Sequence, residues 1–411
     1  MLRLLRSNAD LRALFVAQVV SFMGDWFSFV AVTGIVKDGT SSPFLVSLAY
    51  VSFSLPAFLV SPIAGAVADR FDRRRLLLLV SIAQAVAALG LLTASDDRVW
   101  PVFLFQGLVS GLAAFVKPAI DAGIPNLARD ADELRRANSL FGSTWGVMLA
   151  LGAALGGLFS EAFGRDAAFI ANSASFVLAL GLFALIRRPM QEAHHAHRQR
   201  MRPMADMAEA VRYARQDHAV LALIASKSTF AVGAGIVSQL PVLATDVFHW
   251  NDGGTGLLLG ARGLGAGLGP LLASRFARGD LARVLRFCGL AGMAFSVCYL
   301  GVPWTGSILI TAALVALAHL GGGGQWTLST YGLQLRTPDH IRGRVMAGDF
   351  AIVTLVMSIT GLLAGLVSQH FGVQATITAF ALAAFVASVV YVRAVAPIVR
   401  TLTAASSSDR A

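Results

Sequence analysis

The sequence feature that most restricts the fold is a series of long apolar segments that recurs over the whole chain. These segments fall near residues 12–36, 45–68, 76–94, 100–118, 138–160, 167–186, 218–243, 254–274, 284–302, 305–326, 345–369 and 374–394. Each is long enough to cross about 30 Å of hydrocarbon as a helix. None shows the period-two alternation of a barrel strand, and a helix satisfies its own backbone hydrogen bonds in lipid. The sequence therefore predicts an all-α membrane protein with twelve transmembrane helices.

Composition separates this chain from soluble proteins and from nucleic-acid-binding proteins. Only 14% of its 411 residues are charged, whereas a soluble domain carries about 25%. The formal net charge is +10, but the basic residues lie in short loops between apolar segments. We therefore expect the lipid bilayer, with its anionic inner leaflet, to be the partner of these charges. Neither a nucleic-acid partner nor an obligate protein partner is expected.

The loops between the predicted helices alternate in basic charge. Of the 33 Lys and Arg residues, 28 fall in one set of alternating loops and three, Lys37, Arg98 and Arg165, fall in the other set. Because basic residues accumulate on the cytoplasmic side of membrane proteins, this distribution predicts that both termini are cytoplasmic.

A long basic loop in the middle of the chain predicts a division into two bundles. Shifting the sequence by 209 residues places Gly152 and Gly156 on Gly361 and Gly365, and a repeat near half the chain length implies duplication with a pathway between the halves. The loop histidines His194, His195 and His197 have no acidic or thiol partner, so a solvated linker is predicted in preference to a metal site. The predicted domains are an N-terminal six-helix bundle (1–187), a cytoplasmic linker (188–217), a C-terminal six-helix bundle (218–394) and a cytoplasmic tail (395–411).

Three charged residues lie deep in predicted helices: Asp25 in the first, Lys227 in the seventh and Arg262 in the eighth. Charged groups at membrane depth are costly and usually functional. We expect Asp25 to exchange a proton or to bind a cationic centre such as Lys227, and Lys227 and Arg262 to line a substrate cavity. The alternative is a permanent ion pair that locks the first helix to the seventh.

Neutral polar residues at membrane depth add candidates for the cavity wall. They are Gln18, Gln84, Gln106, Asn172, Gln239, His319 and Gln325, and each could contact substrate or join helices by hydrogen bonds. Asp349 is shallower and is expected to gate the cytoplasmic side or to cap its helix.

Reactive groups of the kind that enzymes use are missing from the sequence. It contains no nucleophile with a plausible base, no metal-ligand cluster and no ATP-binding motif. We therefore expect neither an enzyme nor a cofactor, and an ion gradient or the substrate's own gradient as the energy source.

The loop Gly65 to Arg75 carries the pattern G-x-x-x-D-R-x-x-R-R between the second and third predicted helices. This pattern resembles the inter-helix signature of the major facilitator superfamily of secondary transporters. The resemblance implies two six-helix bundles that alternate in access, and a conformational latch formed by Gly65, Asp69, Arg70, Arg73 and Asp121. In that latch Asp69 approaches the start of helix 11, while Arg73 pairs with Asp121. The alternative is that the loop is only a topology signal.

Two other stretches resemble the exporters of this superfamily. Gly152, Gly156 and Gly157 in the fifth predicted helix are similar to the glycine motif of its antiporters and exporters, with Ala153 in place of their proline. The opening Met23-Gly24-Asp25 and the loop from Lys117 look like the bacterial branch that contains enterobactin-type siderophore exporters and macrolide-efflux-like permeases.

Together these features predict a multi-pass protein of the bacterial inner membrane. The expected function is export of a small organic molecule, a drug-like compound or a siderophore, by alternating access and proton antiport. An importer or uniporter of the same fold stays open, since charge and topology do not set the direction. A non-transporting sensor or scaffold also stays open, and it would hold Asp25, Lys227 and Arg262 in closed ion pairs.

Overall fold

The computed structural model describes residues 2–191, 211–277, 280–337 and 339–408. Within these ranges, twelve segments are long and apolar enough to cross a membrane, and they are numbered here as spans 1 to 12. The predicted all-α class with twelve membrane helices is confirmed. The cytoplasmic position of both termini stays a prediction.

The helices that form spans 1 to 6 follow the short helix Leu2–Ser7. They are Ala9–Thr40 (span 1), Pro43–Ser52 with Leu55–Arg70 (span 2), Arg73–Gly90 (span 3), Trp100–Leu127 (span 4), Ala131–Phe163 (span 5) and Arg165–Ala184 (span 6). Spans 7 to 12 follow in the same chain order. They are His218–Gly233 with Leu240–Asp246 (span 7), Asp252–Ala277 (span 8), Leu281–Gly301 (span 9), Ile308–Arg336 (span 10), Asp339–Phe371 (span 11) and Val373–Ser408 (span 12).

Aspartate side chains begin four of the odd-numbered spans. Asp72 accepts a hydrogen bond from the Arg75 backbone N–H at 2.7 Å, and Asp130, Asp217 and Asp280 cap spans 5, 7 and 9 in the same way. A carboxylate satisfies the free N–H groups of the first turn and interacts favourably with the helix dipole. Asp72 is therefore the N-cap of span 3.

Two connections use the same glycine conformation. Gly164 joins spans 5 and 6 with φ +86°, and Gly372 joins spans 11 and 12 with φ +81°. A side chain is strained at such φ values, and glycine is not. The two glycines are separated by nearly the shift that aligns the two halves of the sequence, so the repeat extends to backbone geometry.

The chain divides into two compact units. One contains spans 1 to 6 together with His249–Gly260, which includes the start of span 8, and the other contains span 7 and Ala261–Ala411. The predicted domain boundaries stay a prediction, because residues 192–210 of the expected linker and its three histidines lie outside the described residues. The predicted tail begins as helix, since span 12 continues to Ser408.

Each unit has its own apolar interior. Leu14, Leu77 and Ile124 belong to a buried cluster of the first unit, whereas Leu223 and Leu285 belong to one of the second unit. Most spans also carry large apolar side chains that are exposed on the protein surface, as expected where that surface faces lipid.

Spans 2 and 7 are interrupted. Span 2 breaks before Leu55, where Pro56 occupies an early position of the second helix, a position at which proline costs no hydrogen bond. Span 7 tightens into a 3-10 turn over Ala234–Gln239. There the Thr360 hydroxyl of span 11 donates to the Ala231 carbonyl at 2.9 Å.

Candidate functional site

Close packing fixes the turn of span 1 that carries Asp25. A Cβ atom added to Gly24 would lie 2.6 Å from Asn172 Oδ1 in span 6, and one added to Gly152 in span 5 would lie 2.8 Å from Trp26 Cβ. Such distances leave no room for a side chain, so glycines let the three helices approach closely. Asp25 is thus held between contacts on both sides.

The Asp25 carboxylate has no partner among the described residues. Its Oδ1 atom is shielded from solvent and accepts no hydrogen bond, and no ion pair to this carboxylate is formed in the described ranges. The neighbouring Trp26 ring packs against Phe29 and Phe53, with centroids 5.5 Å apart in each pair. The first unit therefore contains an acid with no partner among the described residues, next in sequence to a member of an aromatic cluster.

Lys227 lies in a complete set of contacts within the second unit. Its Nζ atom forms a short ion pair with Asp349 of span 11, donates to Thr330 Oγ1 at 2.9 Å and lies 5.1 Å from the centre of the Trp326 ring. Both charged side chains are 3% exposed. Asp349 lies in the body of its helix, so the expected capping role is wrong. The ion pair joins span 7 to span 11, not to span 1.

Arg262 is the second buried cation of that unit, and its surroundings differ. Its side chain is 6% exposed, and its Nε atom has no hydrogen-bond partner in the described structure. His319 of span 10 is also buried, at 2% exposure. His319 Nε2 lies 3.0 Å from the Tyr299 hydroxyl, and its ring packs edge-on against Phe230 and Phe295.

The predicted neutral polar residues divide by their contacts. Gln106 is 1% exposed, and its Oε1 atom has no partner within the described ranges. Gln239 is fully buried and donates to the Ser238 hydroxyl at 3.2 Å, whereas Gln18 is partly exposed. Gln325 joins helices, because it donates to Thr229 Oγ1 at 3.1 Å.

The predicted conformational latch is only partly visible. Arg73 donates to the carbonyls of Ala122 at 2.8 Å and Met190 at 3.0 Å. Asp121 is exposed and pairs with Lys117 at 2.7 Å. The side chains of Asp69 and Arg70 and the surroundings of Gly65 lie outside the described part of the structure. The latch stays a prediction.

The glycine motif of span 5 faces two helices. A Cβ atom on Gly156 would lie 2.9 Å from Phe27 Cα in span 1, and one on Gly157 would lie 2.9 Å from Gly256 Cα at the start of span 8. Together with Gly152, which packs against Trp26, the motif lets span 1 approach span 5 on one side and the beginning of span 8 approach it on another. The motif therefore packs directly against the helix that carries Asp25.

An ion cluster around Arg165 was not expected from the sequence. Arg165 binds both carboxylate oxygens of Asp252, at 2.9 Å and 3.1 Å, and it contacts Asp38 at 2.7 Å and Asp96 at 4.0 Å. We call these four residues the Arg165 cluster. The sequence did contain a signal for this cluster. Arg165 is one of the three basic residues in the loops predicted to lie on the non-cytoplasmic side, and several acids lie in the same loops.

The chain is similar in sequence to one protein family and to known transporters. The family model described as transmembrane secretion effector matches residues 5–410. The uncharacterized MFS-type transporter YfiS of Bacillus subtilis (strain 168) is 26% identical over 215 residues, which are 52% of this chain and 51% of the relative. The enterobactin exporter EntS of Salmonella choleraesuis (strain SC-B67) is 24% identical over 84% of this chain and 82% of its own length.

Solved structures share the fold at low sequence identity. A bacterial homologue of the human lysosomal transporter Spinster, solved in an inward-facing and occupied conformation, superimposes with a TM-score of 0.76. The match covers 93% of this chain and 96% of that protein at 15% identity, which supports the fold alone.

Proposed function

This chain belongs to the transmembrane secretion effector family of the major facilitator superfamily, and we propose that it exports a small organic molecule by proton antiport. As a family member with twelve apolar spans among its described residues, it is a multi-pass transporter of the bacterial inner membrane and not an enzyme. Relatives named as exporters, including EntS, favour the outward direction.

The unpaired carboxylate of Asp25 is the observation that carries the coupling proposal. Asp349 would have to break an ion pair with Lys227 in order to gain a proton, whereas Asp25 can gain or lose one without breaking a contact to the described residues. Protonation drives transport only if it changes the relative stability of two conformations. The packing of Gly24 and Trp26 would transmit such a change to spans 5 and 6.

Two charged regions are proposed to control access at opposite ends of the helices. The conformational latch of Asp69, Arg70, Arg73 and Asp121 would act on the predicted cytoplasmic side. The Arg165 cluster would act at the other end, because Arg165 ties the start of span 8 to spans 1 and 6. Ion pairs that form in one state and break in the other can bias such a transition.

The scaffold alternative expects closed ion pairs at all three deep charges. Within the described residues, Lys227 meets this expectation, while Asp25 and Arg262 do not. Because uncompensated charges at membrane depth usually mark substrate or ion pathways, the structure favours a transporter over a scaffold. The energy source would be the proton gradient, without a cofactor.

Purified protein in liposomes that contain a pH-sensitive dye would test this function. Candidate cargoes, including catecholate siderophores and macrolides, would be supplied to wild type, Asp25→Asn and Asp97→Asn, the last a control at an exposed loop carboxylate. Cargo-dependent proton movement that persists in Asp97→Asn and disappears in Asp25→Asn is expected. Cargo flux that proceeds without protons and is unaffected by Asp25→Asn would contradict the coupling role and indicate a uniporter.

A further inference from the structure

The second unit contains two buried cations, of which the described structure neutralises one. Lys227 has the Asp349 carboxylate, the Thr330 hydroxyl and the Trp326 ring. Arg262 is similarly buried but makes no hydrogen bond or ion pair with a described residue. Asp349 is already bound to Lys227, and Arg262 forms no ion pair with a described carboxylate of the second unit.

An isolated buried charge is strongly unfavourable, whereas an apolar residue of similar volume is not. Arg262 is therefore a poor structural residue at its position. Its guanidinium is compensated if an anion from outside the chain binds there. Arginine suits this role, because its planar fork of N–H donors matches a carboxylate with two parallel hydrogen bonds.

Close contact between spans 8 and 10 brings a neutral polar pair near Arg262. A Cβ atom on Gly269 would lie 2.8 Å from the Gly324 nitrogen, and one on Gly323 would lie 2.9 Å from Ala266 Cα. A Cβ atom on Gly265 would also lie 2.9 Å from the Leu320 nitrogen, so the turn of span 10 that carries His319 packs beside the turn of span 8 that carries Arg262. His319 is joined to the Tyr299 hydroxyl, so it offers polar atoms without an acidic group that would repel an anion.

We propose that Arg262 is the anion-binding residue of the second unit and that the transported molecule is an organic carboxylate, bound by the Arg262 guanidinium beside the Tyr299–His319 pair. This assignment rests on the proposed transport function, since it identifies the cargo of that transport. Arg262 is assigned to cargo binding, whereas Asp25 is assigned to proton coupling.

The stability of the ligand-free protein provides a first test that needs no cargo. Melting temperatures would be measured in detergent for Arg262→Met and for Lys227→Met, a matched loss of a buried cation. We expect Arg262→Met to melt about 2 °C or more above wild type, because an uncompensated charge is removed. Lys227→Met should melt below wild type. A clear fall in the melting temperature of Arg262→Met would mean that the chain itself satisfies Arg262, and it would overturn the assignment.

Ligand binding provides the second test. Three carboxylates, benzoate, salicylate and 2-naphthoate, would each be paired with the neutral amide of the same shape, and binding would be measured from the ligand-induced rise in melting temperature. At least one carboxylate should bind about 10-fold more tightly than its amide to wild type. The preference should vanish in Arg262→Met, return in part in Arg262→Lys, and persist in the double variant Lys227→Met/Asp349→Asn.

The outcomes of the binding test separate this assignment from the coupling role of Asp25. Equal binding of acid and amide, no binding of the three carboxylates, or an unchanged preference in Arg262→Met would overturn the anion site. Carboxylate binding without cargo-driven proton movement would leave the anion site in place and contradict proton antiport.

Discussion

Asp25 in the first unit and Asp349 in the second are the same residue type within membrane spans, yet their surroundings differ. Asp349 is bound to Lys227 and is 3% exposed. Asp25 has one oxygen shielded from solvent and no partner among the described residues. The sequence around each gives no sign of this difference, because the partner of Asp349 lies 122 residues away in the chain.

The comparison shows that depth in the membrane does not by itself identify a functional charge. Removing one partner of a buried ion pair leaves an uncompensated charge and is destabilising, so the ionisation of a paired acid is tied to its contact. An unpaired acid contributes little to stability and is available for protonation. We therefore assign a structural role to Asp349 and a functional role to Asp25, and the following substitutions test this assignment.

The largest effect is expected from Lys227→Met, which leaves Asp349 as a buried, unpaired acid. We expect the variant to lose about 3–5 kcal/mol of unfolding free energy, measured by thermal or denaturant unfolding in detergent. The double variant Lys227→Met/Asp349→Asn removes both charges and should recover most of the loss. If the double variant is no more stable than the single one, the ion pair is not the cause.

A smaller effect is expected at the contact that positions Asp25. In Gly24→Ala the new methyl group would meet Asn172 Oδ1 at 2.6 Å, so the variant should lose about 1–3 kcal/mol together with transport activity. Gly181→Ala is the matched control, because a Cβ atom there has no neighbour within 4 Å. The control should gain a few tenths of a kcal/mol from helix propensity. Equal behaviour of the two variants would show that span 1 can move aside freely.

Asp252 lies between the two extremes, since it is paired but near the end of a span. Asp252→Asn should cost about 1–2 kcal/mol of unfolding free energy, because both of its hydrogen bonds to Arg165 are charge-assisted. Asp96→Asn should have no measurable effect, since Asp96 is 65% exposed and 4.0 Å from Arg165. Parallel melting curves would check this order, and a larger loss in Asp96→Asn would reverse the roles assigned within the Arg165 cluster.

Among the charges at membrane depth, the smallest effect on stability is expected from Asp25→Asn. No ion pair to a described residue is lost, so its melting temperature should equal or exceed that of wild type, by no more than about 1 kcal/mol of unfolding free energy. Asp349→Asn, measured in parallel, should melt lower because Lys227 is left uncompensated. A fall in Asp25→Asn as large as that in Asp349→Asn would mean that Asp25 also has a partner.

The sequence was sufficient to predict the twelve spans, because each apolar segment can cross the bilayer as a helix that satisfies its own backbone hydrogen bonds. The interruptions of spans 2 and 7 were not predicted, since a 3-10 turn such as Ala234–Gln239 depends on a neighbouring helix as well as on local residues. The N-cap role of Asp72 was also missed. It concerns local geometry, and an acid before an arginine-rich helix start was a sufficient signal for it.

The candidate site was predicted in its members but not in its pairings. Asp25, Lys227, Arg262 and His319 were identified because charged or titratable residues are rare at membrane depth. Which of them are paired depends on how helices distant in sequence pack together. The same reason hid the contact between Arg165 and Asp252, which are 87 residues apart.

The Trp326 ring beneath Lys227 gives the second unit an intrinsic optical reporter. Indole emission responds to a cation held close to its face, and the Lys227 ammonium lies 5.1 Å from the ring centre. Of the six tryptophans in the chain, this one has the ammonium of the Lys227–Asp349 pair next to it. If the other five are replaced by phenylalanine, the fluorescence of unlabelled protein reports in real time whether spans 7 and 11 remain joined.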